Sequence, residues 1–384
     1  KGNVHYVGVN DRNKHRFEAM WPLPYGVSYN SYLIDDEMVA LVDTVDICYF
    51  EVYLRKIKQV IGERPINYLI INHMEPDHSG SIRLIKQHYP EIIIVGNKQT
   101  FGMIEGFYGV TGEQYLVKEG DFLALGHHKL RFYMTPMVHW PETMMTFDET
   151  DGVLFSGDGF GCFGTVDGGF LDTRINVDKY WGEMVRYYSN IVGKYGSPVQ
   201  KALQKLGGLP ISAICSTHGP VWTENIAKVI GIYDRLSRYD ADEGVVIAYG
   251  SMYGNTEQMA EAIAEELSAQ GVKNIVMHNV TKSHPSYIIA DIFRYKGLII
   301  GSPTYSNQIF PEVEALLSKI LLREVKGRYL GYFGSFTWAG AAVKRLAEFA
   351  EKSKFELVGD PVEMKQAMKD LTYTQCENLA RAMA

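Results

Sequence analysis

Ile66-Asn67-Tyr68-Leu69-Ile70-Ile71-Asn72-His73-Met74-Glu75-Pro76-Asp77-His78-Ser79-Gly80 decides how this chain is read. The apolar run Ile66 to Ile71 predicts a buried strand. Ser79 to Lys86 predicts a helix opening with a serine cap. Between them His73, Glu75, Asp77 and His78 form a loop at the C-terminal end of a strand, where α/β sheets place their sites. Pro76 holds Glu75 out of the α region, so the loop is not expected to run straight into the helix. Imidazole and carboxylate at this density suit zinc, iron or manganese. Four such side chains are hard to aim at one ion, and a neighbouring pair of ions is easier to satisfy.

Further ligands are expected at other strand ends. His139 lies in Met137-Val138-His139-Trp140-Pro141-Glu142-Thr143, Asp158 in Ser156-Gly157-Asp158-Gly159, and His218 in Ser216-Thr217-His218-Gly219. Each follows a predicted strand: Leu130 to Thr135, Gly152 to Gly157 and Ile211 to Ser216. Taken singly, a histidine after a strand is ordinarily a packed or surface residue, and an aspartate in a glycine-rich loop is ordinarily a turn former. Taken with the H-x-E-x-D-H run, the three complete a metal constellation. Trp21, Tyr25, Trp140 and Phe170 lie in neighbouring segments and are expected to serve as core packing.

The grammar changes near Ser237 to Gly244. Residues 1–240 mix strands with less frequent helices, among them Val27 to Ile34, Met38 to Asp43, a helix from Cys48 to Ile61, Glu91 to Gly96, and helical stretches Val177 to Tyr195 and Val199 to Leu206. Residues 241–384 alternate strictly: Val245 to Tyr249, helix Thr256 to Gly271, Ile275 to Val280, Gly297 to Gly301, helix Pro311 to Arg323, Tyr329 to Phe333 and helix Ala341 to Lys352. That alternation predicts an α/β doubly wound parallel sheet.

The second half carries its own site. Strand Val245 to Tyr249 runs into Ser251, Met252, Tyr253, Gly254, Asn255 and Thr256, where hydroxyls and backbone N–H groups at a helix start suit a phosphate. Neither a G-x-G-x-x-G fingerprint nor a P-loop lysine is present, which disfavours dinucleotides and nucleoside triphosphates. Two later loops, Ser302, Pro303, Thr304, Tyr305, Asn307, Gln308 and Ser335, Phe336, Thr337, Trp338, Ala339, Gly340, combine aromatics with small polar groups. They are suited to sandwiching a flavin ring.

Composition narrows the partners. The 384 residues are 46% apolar and 22% charged, with a net charge of −7 and no basic block. Nucleic acid and membrane are therefore not expected partners. Cys48, Cys162, Cys215 and Cys376 make no C-x-x-C pair, which argues against a disulfide scaffold and against a cysteine-ligated metal. No apolar run is long enough to span a bilayer, and a cytoplasmic location is the expectation.

On these motifs the first half resembles the metallo-β-lactamase fold, an αββα sandwich with a metal site at one edge, and the second half resembles flavodoxin. Most hydrolases of the former fold carry H-x-H-x-D-H. Here Glu75 replaces the second histidine, and with the flavodoxin-like half the whole chain resembles the flavodiiron proteins. The resemblance implies a first iron held by His73, Glu75 and His139, a second by Asp77, His78 and His218, and Asp158 bridging them. His78 is the position where family members differ in whether the side chain reaches the metal. It implies FMN as second cofactor, reduction of dioxygen to water or nitric oxide to nitrous oxide, and a head-to-tail homodimer or dimer of dimers. Two ferrous ions and a reduced flavin hold together the four electrons that take dioxygen to water. With no rubredoxin-type cysteine pairs in the chain, electrons are expected from an external donor: rubredoxin first, a reduced deazaflavin coenzyme second. The alternatives are a dizinc hydrolase with a regulatory flavodoxin-like domain, which Glu75 disfavours, and a pure electron carrier, which the complete ligand set disfavours. An added hard anionic ligand favours the ferric state, whereas zinc is confined to Lewis-acid chemistry.

Overall fold

The computed structural model describes residues 2–384. The chain divides into two compact units, Lys1–Tyr188 with Tyr195–Ser237, and Ser189–Lys194 with Arg238–Ala384.

In the first unit two sheets share one core. One sheet runs in the order Val4–Tyr6, Tyr32–Ile34, Ala40–Val42, Tyr68–Ile70, Ile93–Gly96, Gln114–Leu116; the other runs Phe122–Ala124, Lys129–Met134, Met144–Asp148, Val153–Gly157, Ala213–Ser216. Ile34, Val42, Ile70 and Val95 of the first sheet form one apolar cluster with Leu130, Phe132, Met144 and Phe155 of the second. Helices including Phe50–Ile61, Lys98–Tyr108, Asp178–Tyr187 and Ile226–Ser237 complete the metallo-β-lactamase-like αββα sandwich. Helix Phe50–Ile61 buries Phe50, Tyr53, Leu54, Ile57 and Ile61, spaced three and four apart so that they share one face.

Parallel pairing sets the site. Ala40–Val42 lies parallel to Tyr68–Ile70, and Val153–Gly157 parallel to Ala213–Ser216. Each pair therefore ends on one edge, and Met144 N–H donating to Asn72 O (3.0 Å) ties the edges of the two sheets together. His218 is followed by Gly219 at φ +84°, where a Cβ would lie 2.3 Å from Cys162 Sγ, so only glycine closes that turn.

The second unit is flavodoxin-like. Ile275–Asn279, Asp242–Tyr249, Tyr295–Tyr305 and Tyr329–Phe336 form a parallel sheet in that order, continued by Glu356–Leu357 and Val362–Lys365. Helices Asn255–Ala269 and Asp370–Met383 cover one face through Met259, Ile263, Leu379 and Ala380, packed with Ile247, Ile299 and Phe333.

Several local expectations change. Val27 to Ile34 is two strands, Val27–Tyr29 and Tyr32–Ile34, because Asn30 and Ser31 turn their side chains to backbone carbonyls of other segments. Ser79 does not cap a helix. Pro76–Ser79 is itself one helical turn with Pro76 at its first position, and Ser79 Oγ donates to Met74 O (2.9 Å). The next helix, Ile82–His88, starts without a side-chain cap. Val177 to Tyr195 breaks into Asp178–Tyr187, a π turn Tyr188–Val192 and a 3₁₀ turn Gly193–Tyr195. Tyr25 and Phe170 are exposed rather than packed in the core, whereas Trp21 is buried.

Asp43 anchors the decisive stretch. At the end of Ala40–Val42 its carboxylate accepts the N–H of Asn72 (2.8 Å) and the side-chain amide of Asn72 (3.0 Å). Replacing it by alanine orphans two buried donors, each costing about 1–3 kcal/mol. Asp43→Ala is expected to lower the stability of the first unit by about 2–4 kcal/mol, read as a shifted midpoint in denaturant, while the flavodoxin-like unit's transition stays in place.

Candidate metal centre and flavin site

The one-turn helix Pro76–Ser79 turns Asp77 and His78 inward, and Glu75, extended at φ −60° and ψ 131°, leads into it. His73, His78, Asp158 and His218 are 0–1% exposed, and Glu75 and His139 are 6% and 5% exposed. Asp158 stands between two groups. Its Oδ2 lies 3.0 Å from His139 Nε2 and 3.6 Å from His73 Nε2. Its Oδ1 lies 3.2 Å from His78 Nε2 and 3.6 Å from His218 Nε2. Glu75 Oε2 joins the first group at 3.1 Å from His139 Nε2 and 3.7 Å from His73 Nε2. Asp77 joins the second, with Oδ2 3.5 Å from His218 Nε2 and Oδ1 3.6 Å from His78 Nε2. The seven side chains singled out from sequence thus meet in one buried cluster with two lobes.

These spacings fit metal ions. With metal–ligand bonds of about 2.1 Å, adjacent donors on one ion sit about 3.0–3.4 Å apart. Both oxygens of Asp77, both ring nitrogens of His78 and Nε2 of His218 are buried with no hydrogen-bond partner. Buried polar atoms are ordinarily paired, so a cation fits this orphaned set. The orienting contacts lie behind the ligands. His73 Nδ1 meets Glu142 Oε1 at 2.6 Å, His218 Nδ1 donates to Ser28 O at 2.8 Å, and Thr217 Oγ1 donates to Asp158 Oδ1. Phe17 packs edge-on against His218 (5.3 Å between ring centres) and Trp140 against His73 (5.2 Å).

Sequence reasoning missed Glu142 and Asp43. Glu142 stood three residues beyond His139 in the quoted stretch, and Asp43 ended a predicted strand, but a lone acid carries no sign of its burial.

Charge is unevenly held. Burial opposes the charged form of Glu75, yet His139 and His73 outweigh it and bring the carboxyl down to about 2. Asp77 is pushed up to about 6 by burial and by Glu75. Burial also opposes a charged His78, but Asp77 and Asp158 raise it to about 10.

In the second unit, Met252, Tyr253, Asn255 and Thr256 share a shallow depression with Pro303, Thr304, Ser335, Phe336 and Thr337. Ser251, Gly254, Ser302, Tyr305, Asn307, Gln308, Trp338, Ala339 and Gly340 do not line it. Ser302 is turned inward, accepting the N–H of Phe310 (3.2 Å), and Gln308 is held by Arg345 (2.6 Å). Thr304 Oγ1 also accepts the N–H groups of Ala341 and Ala342. The second loop is shorter than expected, because Tyr295–Tyr305 continues as strand and folds back on Gln308–Ile309. Gln366, which sequence reasoning passed over, joins the rim. Helix Asn255–Ala269 starts on Gly254 (φ +92°); Ser251 Oγ accepts the N–H groups of Gly254 (3.1 Å) and Glu257 (3.4 Å), and the positive end of the helix dipole suits a phosphate. These residues fit FMN.

Residues 27–219 match the ODP family beta lactamase and residues 247–378 match flavodoxin. The chain is 32% identical over 362 residues to the anaerobic nitric oxide reductase flavorubredoxin of Vibrio vulnificus, covering 93% of this chain and 73% of that protein. The rubredoxin oxygen:oxidoreductase structure from Desulfovibrio gigas superposes with a TM-score of 0.95 at 30% identity, covering 99% and 96% of the two chains. The flavodiiron protein from Giardia intestinalis superposes at 0.93 with 26% identity, covering 99% and 94%.

A ligand imidazole must lose its proton to bind metal. His78, raised to about 10, holds a proton at neutral pH when no ion is present, and Asp77 holds one below about 6. Ferrous or cobaltous ion added to metal-free protein is therefore expected to release protons and to bind more weakly as the pH falls from 8 towards 6. Calorimetry in buffers of differing ionisation enthalpy reads both effects.

Proposed function

The chain belongs to the flavodiiron family, and from that membership we propose that it reduces nitric oxide to nitrous oxide, dioxygen to water, or both. It is an oxidoreductase whose cofactors are a diiron centre and FMN. The observation that carries the reading is Asp158, with one carboxylate oxygen turned to each lobe. His73, Glu75 and His139 would hold one ion, Asp77, His78 and His218 the other, and Asp158 would join them. His78 belongs to this set on its inward-facing Nε2, 3.2 Å from Asp158.

Bound there, the iron pair supplies two one-electron centres side by side, and FMN supplies two electrons more. The chain's own residues do the rest. Glu75 and Asp77 add anionic oxygen donors, which favour iron in its higher charge state. Phe17 and Trp140 pack against the ligand rings. The strand-end hydrogen bonds hold the rings in place, so that one fixed ligand set would serve the ions in either charge state. On the second unit, Asn255, Thr256 and the helix start would bind the phosphate, while Pro303, Thr304, Phe336 and Thr337 flank the ring.

Rubredoxin is the donor this reading favours, from the likeness to the rubredoxin oxygen:oxidoreductase of Desulfovibrio gigas, with a reduced deazaflavin coenzyme as the second choice. A head-to-tail homodimer, or a dimer of dimers, belongs to the same reading. Exposed Tyr253 and Trp338 on one unit and Met20 and Tyr25 on the other support a covering partner. A cytoplasmic location rests on four free thiols. No described helix is long and apolar enough to cross a membrane.

Turnover with reduced rubredoxin, with nitric oxide and dioxygen each supplied alone to one preparation of known iron and FMN content, tests the proposal. Continuous consumption of at least one gas is expected, falling to a single partial turnover when FMN is removed. A full steady rate from flavin-free or iron-free protein would overturn it.

A further inference from the structure

Behind the cluster the two lobes are not alike. His73 presents Nδ1 to Glu142 Oε1 at 2.6 Å, with both side chains 0% exposed. His218 presents Nδ1 to a neutral backbone carbonyl, Ser28 O, at 2.8 Å. Glu142 is held in place from three directions. Its Oε1 also accepts the Met74 N–H (2.9 Å), and its own carbonyl accepts from Asn97 Nδ2 (2.6 Å). Asn97 in turn caps helix Lys98–Tyr108 by accepting from Gln99 and Thr100. The other carboxylate oxygen, Oε2, is buried with no partner, so no further donor draws charge away from the His73 contact.

We propose that Glu142 is a positioning residue that makes the two metal positions inequivalent: the ion beside His73 is held more tightly and is oxidised first. This rests on the two-iron reading of the cluster. A carboxylate accepting the Nδ1–H fixes the tautomer, so Nε2 is the atom that faces the ion. It also draws on that proton and makes the imidazole a stronger donor. Partners of this kind alter metal affinity by about 10–100-fold. A stronger donor stabilises the ferric ion more than the ferrous ion, so the midpoint potential at that position falls. The neutral carbonyl behind His218 orients its ring without adding charge. Asp43 is a buried carboxylate near His78, but its oxygens bond to Asn72 and to the His73 N–H and not to a ligand ring. The lobe whose imidazole is hydrogen-bonded to a carboxylate and the lobe whose imidazole is held by a carbonyl therefore give up their electrons in a set order, and the mixed-valent state has its ferric ion beside His73 and Glu75.

The test compares wild-type protein with Glu142→Gln, which keeps an acceptor of the same shape and removes the charge. Iron content and an EPR-monitored redox titration are measured on both, in the FMN-loaded protein. The wild type is expected to hold two irons and show two separated one-electron steps. In the variant the lower-potential step rises towards the other by about 59 mV for each tenfold loss of ferric preference, while the higher step stays. Glu142→Asp, which keeps the charge, is expected to restore part of the separation. Unmoved steps in a Glu142→Gln protein that holds two irons would overturn this proposal alone. A wild type that takes up no iron pair would overturn the two-iron reading beneath it. Should Glu142→Gln not fold, cobalt binding to the wild type decides. Two dissociation constants at least tenfold apart support the proposal, and two equivalent positions contradict it.

Discussion

Asp158 is the constraint around which the first unit is built. A single buried carboxylate faces His139 and His73 with one oxygen and His78 and His218 with the other. That arrangement requires the ends of two parallel strand pairs, from two different sheets, to arrive on one edge at one depth. The apolar cluster between the sheets fixes the depth. The Asn72–Met144 and Gly157–Thr217 backbone bonds fix the edge. Neither lobe closes without Asp158, which gathers ligands from three separate stretches of the chain.

The contacts behind the ligands turn a cluster into an ordered site. Asp43 ties down the start of the ligand stretch, Glu142 orients His73, and Ser28 orients His218. Each belongs to a different strand or loop, so tightening the core tightens the ligand geometry. The flavodoxin-like unit follows another economy. It sets a helix start beside loops gathered at the carboxyl ends of parallel strands, where such sheets bind their ligands.

Much of this was legible because ligand chemistry is local. His73 to His78 lie within one loop, and His139, Asp158 and His218 follow strands whose apolar runs are plain. What was not legible depends on partners far along the chain. Glu142 and Asp43 look like any other acid until both sheets close over them. Pro76 holds Glu75 extended as expected, but the one-turn helix that it opens, which aims Asp77 and His78, had no sign of its own in the sequence. Ser302 and Gln308 have the composition of ring-binding residues but are consumed by Phe310 and Arg345. Gln366 reaches the flavin depression only because Val362–Lys365 pairs with Tyr329–Phe336. Lys98–Tyr108 and Met144–Asp148 carried too weak a periodicity to stand out beside their neighbours.

The most direct measurement of the central claim is Mössbauer and EPR spectroscopy of the iron-loaded protein with and without Asp158. Two irons joined through one carboxylate are predicted to be spin-coupled, EPR-silent when both are ferric, and to lose the pair in Asp158→Ala. Two irons that behave as isolated high-spin ferric ions, or a coupled pair that survives the loss of Asp158, would contradict the account.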